Sequence, residues 1–287
     1  MQKSYVYLLG GLSFMCFSAI CIKAADAPGM VTVFYRMGLA AMVLTVPYIV
    51  FTIKAKQYIS KRGALLAILA GSVFGFDMLC WSKGISHSNA TIPTLVANLA
   101  PVWVGLASIP LFKEKHRTAF WIGLTIALTG IFVMVNKDLE AGNGFVKGVV
   151  FGIFAGLFYA AFYLLSQEGR KQVSAFSFLY ISTLTSAIII GIFVWQQGYA
   201  LVGYNQKTWL IFLFKGLGIQ VIGWYLITKA QGMLPASIIA PILLAQPVLT
   251  YVWAVLLLKE QLTSWQIVGG AIVVAGIYLV HFSKRKI

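Results

Sequence analysis

The sequence predicts an all-α membrane protein, with ten transmembrane helices arranged as two inverted five-helix repeats. Three observations carry that prediction. The chain is 60% apolar and only 10% charged, with mean hydropathy +0.88. Its apolar residues fall into ten runs separated by short connections, and one half of the chain matches the other at a constant offset. A soluble domain carries roughly 25% charged residues, and disorder requires low hydrophobicity, so both classes are excluded. Open sheets cannot face lipid, and the runs lack the polar/apolar alternation of a barrel, which leaves helices.

A helix needs ~20 mostly apolar residues to cross a bilayer. The runs cover residues 5–22, 31–53, 64–82, 90–112, 118–135, 146–166, 176–195, 208–228, 235–258 and 264–282. The first follows Lys3 and ends near Ala25-Asp26-Ala27, a pattern a signal peptide also has. The repeat described below needs this run, so it is kept as span 1. Span 2 opens on Phe34-Tyr35-Arg36, and span 3 carries Asp77. Span 4 contains Pro101 and ends in Lys113-Glu114; span 5 contains Gly123 and Gly130. On span 6, Gly148, Gly152 and Gly156 recur every four residues, which favours close helix packing. Span 7 carries no charge, and span 8 carries Lys215. Span 9 contains Pro247 and ends in Lys259-Glu260, and span 10 precedes the basic cluster Lys284-Arg285-Lys286.

The net charge is +15, from 22 Lys and Arg against 7 Asp and Glu. Such a balance can mark nucleic-acid binding, but here the basic residues lie between apolar runs and report topology instead. The face holding both termini carries Lys3, Lys54, Lys56, Lys61, Arg62, Lys113, Lys115, Arg117, Arg170, Lys171, Lys229, Lys284, Arg285 and Lys286. The opposite face carries Lys23, Lys83, Lys137, Lys147, Lys207 and Lys259. This bias places both termini in the cytoplasm of a multi-pass protein of the inner membrane. The expected partners are the lipid bilayer and a small-molecule substrate, with protons as a candidate coupling ion and no nucleic acid. Oligomeric state is left open. Cys16, Cys21 and Cys80 lack metal-ligand spacing and read as small apolar packing residues, so no metal or cofactor is expected.

Shifted by 146 residues, the chain matches itself without a gap. Lys83 falls on Lys229, Pro101-Val102 on Pro247-Val248, and Lys113-Glu114 on Lys259-Glu260. Gly123 and Gly130-Ile131 fall on Gly269 and Gly276-Ile277. The halves are residues 1–140 and 141–287. Five spans per half is odd, so the second half must enter the membrane from the other side, giving an inverted repeat about an axis in the membrane plane. Secondary transporters use this architecture because the halves can rock against one another.

These features resemble the drug/metabolite transporter superfamily, and within it the EamA type: ten spans, a five-plus-five repeat, proline-bearing spans ending in Lys-Glu, and the Phe34-Tyr35-Arg36 opening of span 2. The resemblance implies export of amino acids or related metabolites through a cavity lined by spans 1, 3, 4, 6, 8 and 9. Arg36 maps onto Ser182 in the second half, so any role of that arginine is not duplicated.

Ionisable groups inside a membrane are costly and default to functional hypotheses. Asp77 is the one acid deep in a span, ~9 Å from the outer end of span 3; Lys215 lies ~12 Å from the outer end of span 8. Asp77 is a candidate for a substrate amine or a proton, and Lys215 or Arg36 for a carboxylate; a static ion pair or snorkelling side chains would account for them equally. Asn98, Gln220 and Gln246 are polar near mid-span, suiting either a substrate site or interhelical hydrogen bonds. Phe14, Trp81, Tyr159, Tyr163, Trp224 and Tyr251 could stack on a substrate or simply pack. Pro101 and Pro247 are expected to interrupt the helix ladder at mid-span, as hinges or static kinks. Glu114 and Glu260 read as interfacial anchors or gate-side ion pairs.

The chain has no phosphate loop and no HExxH motif, and Asp77 has no acidic partner within a span, so an enzyme is not expected. The alternatives to export are uptake of a nucleotide-like or vitamin-like metabolite and a non-transporting membrane scaffold. Efflux of cationic drugs fits less well, because span 1 has no acid.

Overall fold

A computed structural model describes residues 2–54, 59–88, 91–135, 144–258 and 263–284. Lys259 and Glu260 lie outside these residues, as do Lys56, Lys137, Arg285 and Lys286. Among the described residues all regular structure is helical. The helices are α1 (Gln2–Met15), α2 (Phe17–Ala24), α3 (Gly29–Lys54), α4 (Lys61–His87), α5 (Thr91–Ala97), α6 (Ala100–Phe112), α7 (Thr118–Met134) and α8 (Phe145–Gly169). They continue with α9 (Ala175–Gln196), α10 (Gln206–Phe214), α11 (Trp224–Gln231), α12 (Ala236–Leu243), α13 (Gln246–Leu258) and α14 (Ser264–Lys284). A π-helical segment, Lys215–Gly223, joins α10 to α11. Among the described residues, eight helical stretches are long and apolar enough to cross a membrane, and α7 is apolar but shorter. Large apolar side chains such as Val6, Met42, Val46, Leu65, Val146 and Leu256 are exposed on them, as lipid-facing residues would be.

The helix ladder is interrupted just before each mid-span proline. Pro101 and Pro247 do not kink continuous helices. Helix α5 ends at Ala97, Asn98 and Leu99 form a turn, and α6 restarts with Pro101 in its first turn. Likewise α12 ends at Leu243, Leu244 and Ala245 turn, and α13 restarts with Pro247 as its second residue. A first-turn N–H has no intrahelical acceptor, so proline loses nothing there. The turns are closed by Leu99 N–H to the Val96 carbonyl (3.0 Å) and by Ala245 N–H to the Ile242 carbonyl (3.0 Å). The two breaks, at 98–99 and 244–245, fall at the same 146-residue offset as the sequence match.

The chain forms two compact units, each drawing on both halves of the sequence. The first comprises Met1–Leu79 and Leu165–Leu234; the second comprises Cys80–Leu164 and Pro235–Ile287. In the first unit α3 packs along α9, with Tyr48 stacked on Tyr180 at 4.1 Å. The Ser186 hydroxyl of α9 donates to the Gly71 carbonyl of α4 at 2.7 Å. Gly11 of α1 lies against Gly223, where an added Cβ would stand 2.6 Å from the Gly223 carbonyl oxygen. Ser174 caps α9 and Asn205 caps α10, each side-chain oxygen accepting from the backbone N–H three residues on. Arg170, just past the end of α8, donates from Nε to the Thr228 carbonyl at 3.0 Å and from Nη1 to the Val173 carbonyl. Its burial pulls the guanidinium pKa below the ordinary value.

In the second unit α7 and α14 pack backbone to backbone. A Cβ at Gly130 would stand 2.6 Å from Val273 N and 2.7 Å from the Gly269 carbonyl oxygen; one at Gly123 would stand 2.8 Å from the Gly276 oxygen. Phe120, Leu124, Ala127, Ile131, Val273 and Val280 form the core beside this contact. Gly152 and Gly156 bring α8 close to α5, with Val96 and Ala97 in the way of any side chain, as the four-residue glycine spacing leads one to expect.

These contacts generate a contrast. Gly130→Ala forces a methyl against backbone that cannot yield, so it should destabilise by about 1–3 kcal/mol. At Gly38 a Cβ meets nothing within 4 Å, so Gly38→Ala should be neutral or stabilise by about 0.5–1 kcal/mol through helix propensity. Unfolding of the purified protein by denaturing detergent measures both.

Candidate functional site

The first unit holds a buried ionic centre. Arg36 comes from α3, Asp77 from α4, Thr183 from α9, and Lys215 and Gln220 from the π-helical segment. Arg36, Asp77 and Lys215 are 4%, 3% and 1% exposed, and Thr183 and Gln220 are equally buried. The Arg36 Nε donates to Gln220 Oε1 at 3.0 Å, and Gln220 Nε2 donates to Thr183 Oγ1 at 3.1 Å. The amide therefore fixes the plane of the guanidinium and is itself fixed by the threonine. Asp77 Oδ2 has no hydrogen-bond partner among the described residues, and neither Asp77 nor Lys215 belongs to an ion pair among them. A static Asp77–Lys215 pair is thus not what the fold builds. Among the described residues, Arg36 and Lys215 are the basic side chains buried in this unit, and Asp77 is the buried acidic one.

The π-helical segment changes how Lys215 and Gln220 stand relative to one another, and Gln220 is the one bonded to Arg36. Residues five apart on an α-helix point roughly 140° away from each other. The wider i→i+5 winding brings them nearly into line. Gly216, Gly218 and Gly223 weaken the α preference of the segment, because glycine loses the most freedom in a regular helix. Gly216 also lets the segment approach α3, where an added Cβ would stand 3.1 Å from the Leu39 Cβ. A pocket of ≈ 540 Å³ opens beside this segment, lined by Cys21, Gln206, Lys207, Leu210, Ile211 and Phe214.

Of the residues singled out from sequence, Arg36 and Gln220 meet here through a hydrogen bond, and Asp77 and Lys215 are buried in the same unit. Phe14 and Trp224 belong to the same unit: Phe14 lies against Gly223, and the buried Trp224 packs edge-on against Phe74 at 4.9 Å. The others lie in the second unit. Trp81 Nε1 donates to Thr94 Oγ1 at 2.8 Å, and Asn98 occupies the turn between α5 and α6. Tyr159 and Tyr163 have ring centroids 4.6 Å apart. Gln246 opens α13, and Tyr251 packs against the α7–α14 core.

Sequence reasoning missed Thr183 and the place of Cys21 in the pocket lining. A threonine beside Ser182 and a cysteine in an apolar run carry no signal of their own. Glu114, read from the sequence as an interfacial anchor or gate-side ion pair, belongs to a polar group in the second unit, with His116 Nε2 at 3.8 Å from its Oε2. Glu114 Oε2 accepts a hydrogen bond from the Ser237 hydroxyl, and His116 Nε2 lies 2.8 Å from Ser108 Oγ with its ring stacked on Phe120 at 4.3 Å. Glu114 therefore ties the end of α6 to the start of α12.

Comparison with known proteins points one way. The model of the EamA-like transporter family matches residues 2–136 and again residues 146–282. The pseudopaline exporter CntI of Pseudomonas aeruginosa is 22% identical over 288 residues, covering 99% of this chain and 98% of that one. The S-adenosylmethionine uptake transporter of Rickettsia bellii is 19% identical over 253 residues, covering 88% and 84%. A solved crystal structure superposes with a TM-score of 0.83 at 14% identity, covering 100% of this chain and 99% of that one, which establishes a shared fold.

The hydrogen-bond chain through Gln220 sets an expected ranking of stabilities. Gln220→Leu strips a buried guanidinium of its acceptor and should cost about 1–3 kcal/mol. Thr183→Val removes one neutral bond and should cost about 0.5–1.5 kcal/mol. Thermal unfolding in detergent micelles tests the order.

Proposed function

The chain belongs to the EamA-like transporter family, and we propose that it is a secondary transporter of the inner membrane that exports small metabolites, with amino acids or their derivatives as the cargo class. The observation that carries the proposal is the buried Arg36–Gln220–Thr183 chain in a unit that also buries Asp77 and Lys215. Buried charge at membrane depth is expensive and is kept where a solute or ion must pass. The family match over two successive stretches, and helix breaks recurring 146 residues apart, support a repeat of residues 1–140 by residues 141–287. In this reading α1 with α2, and α7, join the eight long stretches to make ten spans, both termini are cytoplasmic, and the halves are inverted. Phe14, Trp81, Asn98, Tyr159, Tyr163, Trp224, Gln246 and Tyr251 are proposed to line the substrate path. The breaks before Pro101 and Pro247 are its proposed flexible points, since a turn bends more easily than a helix. Asp77 is the candidate for proton coupling.

The relative named as an exporter supports outward flux, and the one named as an uptake transporter favours a second reading with the direction reversed. Counterflow into proteoliposomes with pooled labelled amino acids tests the function: exchange of at least one is expected, and no exchange of any would turn the reading towards a scaffold. For orientation, Ser60→Cys should resist an impermeant thiol reagent in intact cells while Val202→Cys reacts; the reverse pattern would overturn the topology.

A further inference from the structure

The two broken helices meet at one end. Helix α6 is the second half of the broken pair α5–α6, and α12 is the first half of its counterpart α12–α13. Both belong to the second unit and pack against each other. Glu114 lies two residues past α6, and its Oε2 accepts from the hydroxyl of Ser237, the second residue of α12. The α6 side of this contact is braced. Lys113 has a left-handed backbone, φ 55° and ψ 30°, with its N–H on the Ser108 carbonyl, and Glu114 N–H reaches the same carbonyl at 3.3 Å. A lysine adopts that conformation only where its surroundings impose it. The Ser108 hydroxyl donates to the Gly105 carbonyl at 2.9 Å and lies 2.8 Å from His116 Nε2. The His116 side chain is fully enclosed, 3.8 Å from Glu114 Oε2 and stacked on Phe120. Phe120 and Trp121 in turn stand against Gly105, where an added Cβ would meet their rings at 3.0 and 3.1 Å. Glu114 is therefore carried by α6 and α7 together.

The α12 side is built differently. Helix α12 is eight residues long, between Pro235, which gives it no side-chain cap, and the turn at 244–245. So short a helix is marginal on its own, and its position is set by what it touches. Ser237 stands seven residues before the start of that turn, ~10 Å along the helix. A small rotation about the turn therefore moves Ser237 further than any residue nearer to it. The Glu114 side chain keeps 18% of its surface exposed, so water can replace the Ser237 hydroxyl when the two part, and the carboxylate is not left buried and bare. Its negative charge beside the first turn of α12 favours the closed arrangement through the helix dipole.

We propose that Glu114 and Ser237 form a clasp at one end of the substrate path. Helix α12 swings about the turn at 244–245 and the clasp parts, while Ser108, Glu114 and His116 stay with α6 and α7. In the topology proposed above, this end is cytoplasmic. Calling the clasp a gate rests on the transporter reading; the motion of α12 does not.

The test starts from the full-length protein with Cys16, Cys21 and Cys80 replaced by alanine. In proteoliposomes, Glu114→Cys with Ser237→Cys is bridged by a short bis-thiosulfonate and released by dithiothreitol. Bridging should lower counterflow of pooled labelled amino acids at least tenfold, and release should restore it. Undiminished counterflow in the bridged protein would overturn the gate, and so would failure of the two thiols to be bridged in folded protein. A second arm needs no flux, and it decides the matter if the double variant does not fold. Ile239 of α12 and Val273 of α14 are both fully buried. In nanodiscs, Ile239→Cys should react with an impermeant maleimide at least tenfold faster than Val273→Cys, because α12 opens and the α7–α14 core does not. Ser237→Ala should speed the reaction at residue 239 at least threefold more and leave residue 273 unchanged. A static tie predicts equal, slow rates at the two positions. Equal rates, or no response to Ser237→Ala, would overturn the proposal. The arms also separate the two readings. Counterflow that ignores the bridge would sink the gate and keep the transporter. No counterflow of any amino acid, with residue 239 reactive and responsive, would sink the transporter and keep the moving helix.

Discussion

In a hydrocarbon environment there is little hydrophobic gain when one helix leaves lipid for another, so packing must come from close approach. Glycine is the residue that grants it here. Gly123 and Gly130 on α7 meet Gly276 and Gly269 on α14 at distances where a single methyl would strike backbone. The same device recurs where Gly11 meets Gly223 in the first unit and where Gly152 and Gly156 meet α5 in the second. Each unit is organised around such a contact, and the polar groups that matter are held by helices fixed in this way. The α7–α14 pair also carries the 146-residue offset in its own geometry. Gly123 pairs with Gly276 and Gly130 with Gly269, and the offset exchanges one pair for the other.

Polar chemistry is concentrated where that packing leaves room for it. Around Arg36 the helix preference is weakened by Gly216, Gly218 and Gly223, and the winding widens. A locally less favourable backbone is thereby coupled to side chains that would be costly anywhere else in the chain. Such pairing of irregular backbone with buried polarity is tolerated in membranes only when protein, not lipid, surrounds it. The burial of Arg36, Asp77, Lys215, Thr183 and Gln220 meets that condition.

Much of the architecture was legible in the sequence because its determinants are one-dimensional. Apolar run length reports helices, and a self-match reports recurring elements. The glycine matches at 123/269 and 130/276 were visible as identities, though nothing in the sequence said that they touch crosswise. The prolines were legible as interruptions but misplaced by a few residues. Proline marks both a kink within a helix and the first turn of a new one, and only the turn at Asn98-Leu99 decides between them. At the candidate site the charged members stood out because charge is rare in apolar runs. Their arrangement did not. Equal depth suggested Asp77 with Lys215, whereas the described hydrogen bonds join Arg36 to Gln220 and Gln220 to Thr183. Depth along a helix is readable from residue count; azimuth is not, least of all across a π-helical segment.

That segment has a consequence for how the sequence can change. A π turn holds one residue more than the α turn it replaces, so the stretch 215–223 is sensitive to chain length in a way that its neighbours are not. Deleting one residue there would restore ordinary winding while leaving α10 and α11 nearly in phase, because the wide turn is what absorbs the extra residue. An insertion or deletion within 215–223 therefore changes the winding that presents Gln220 to Arg36, whereas a substitution leaves unaltered the chain length that sets it.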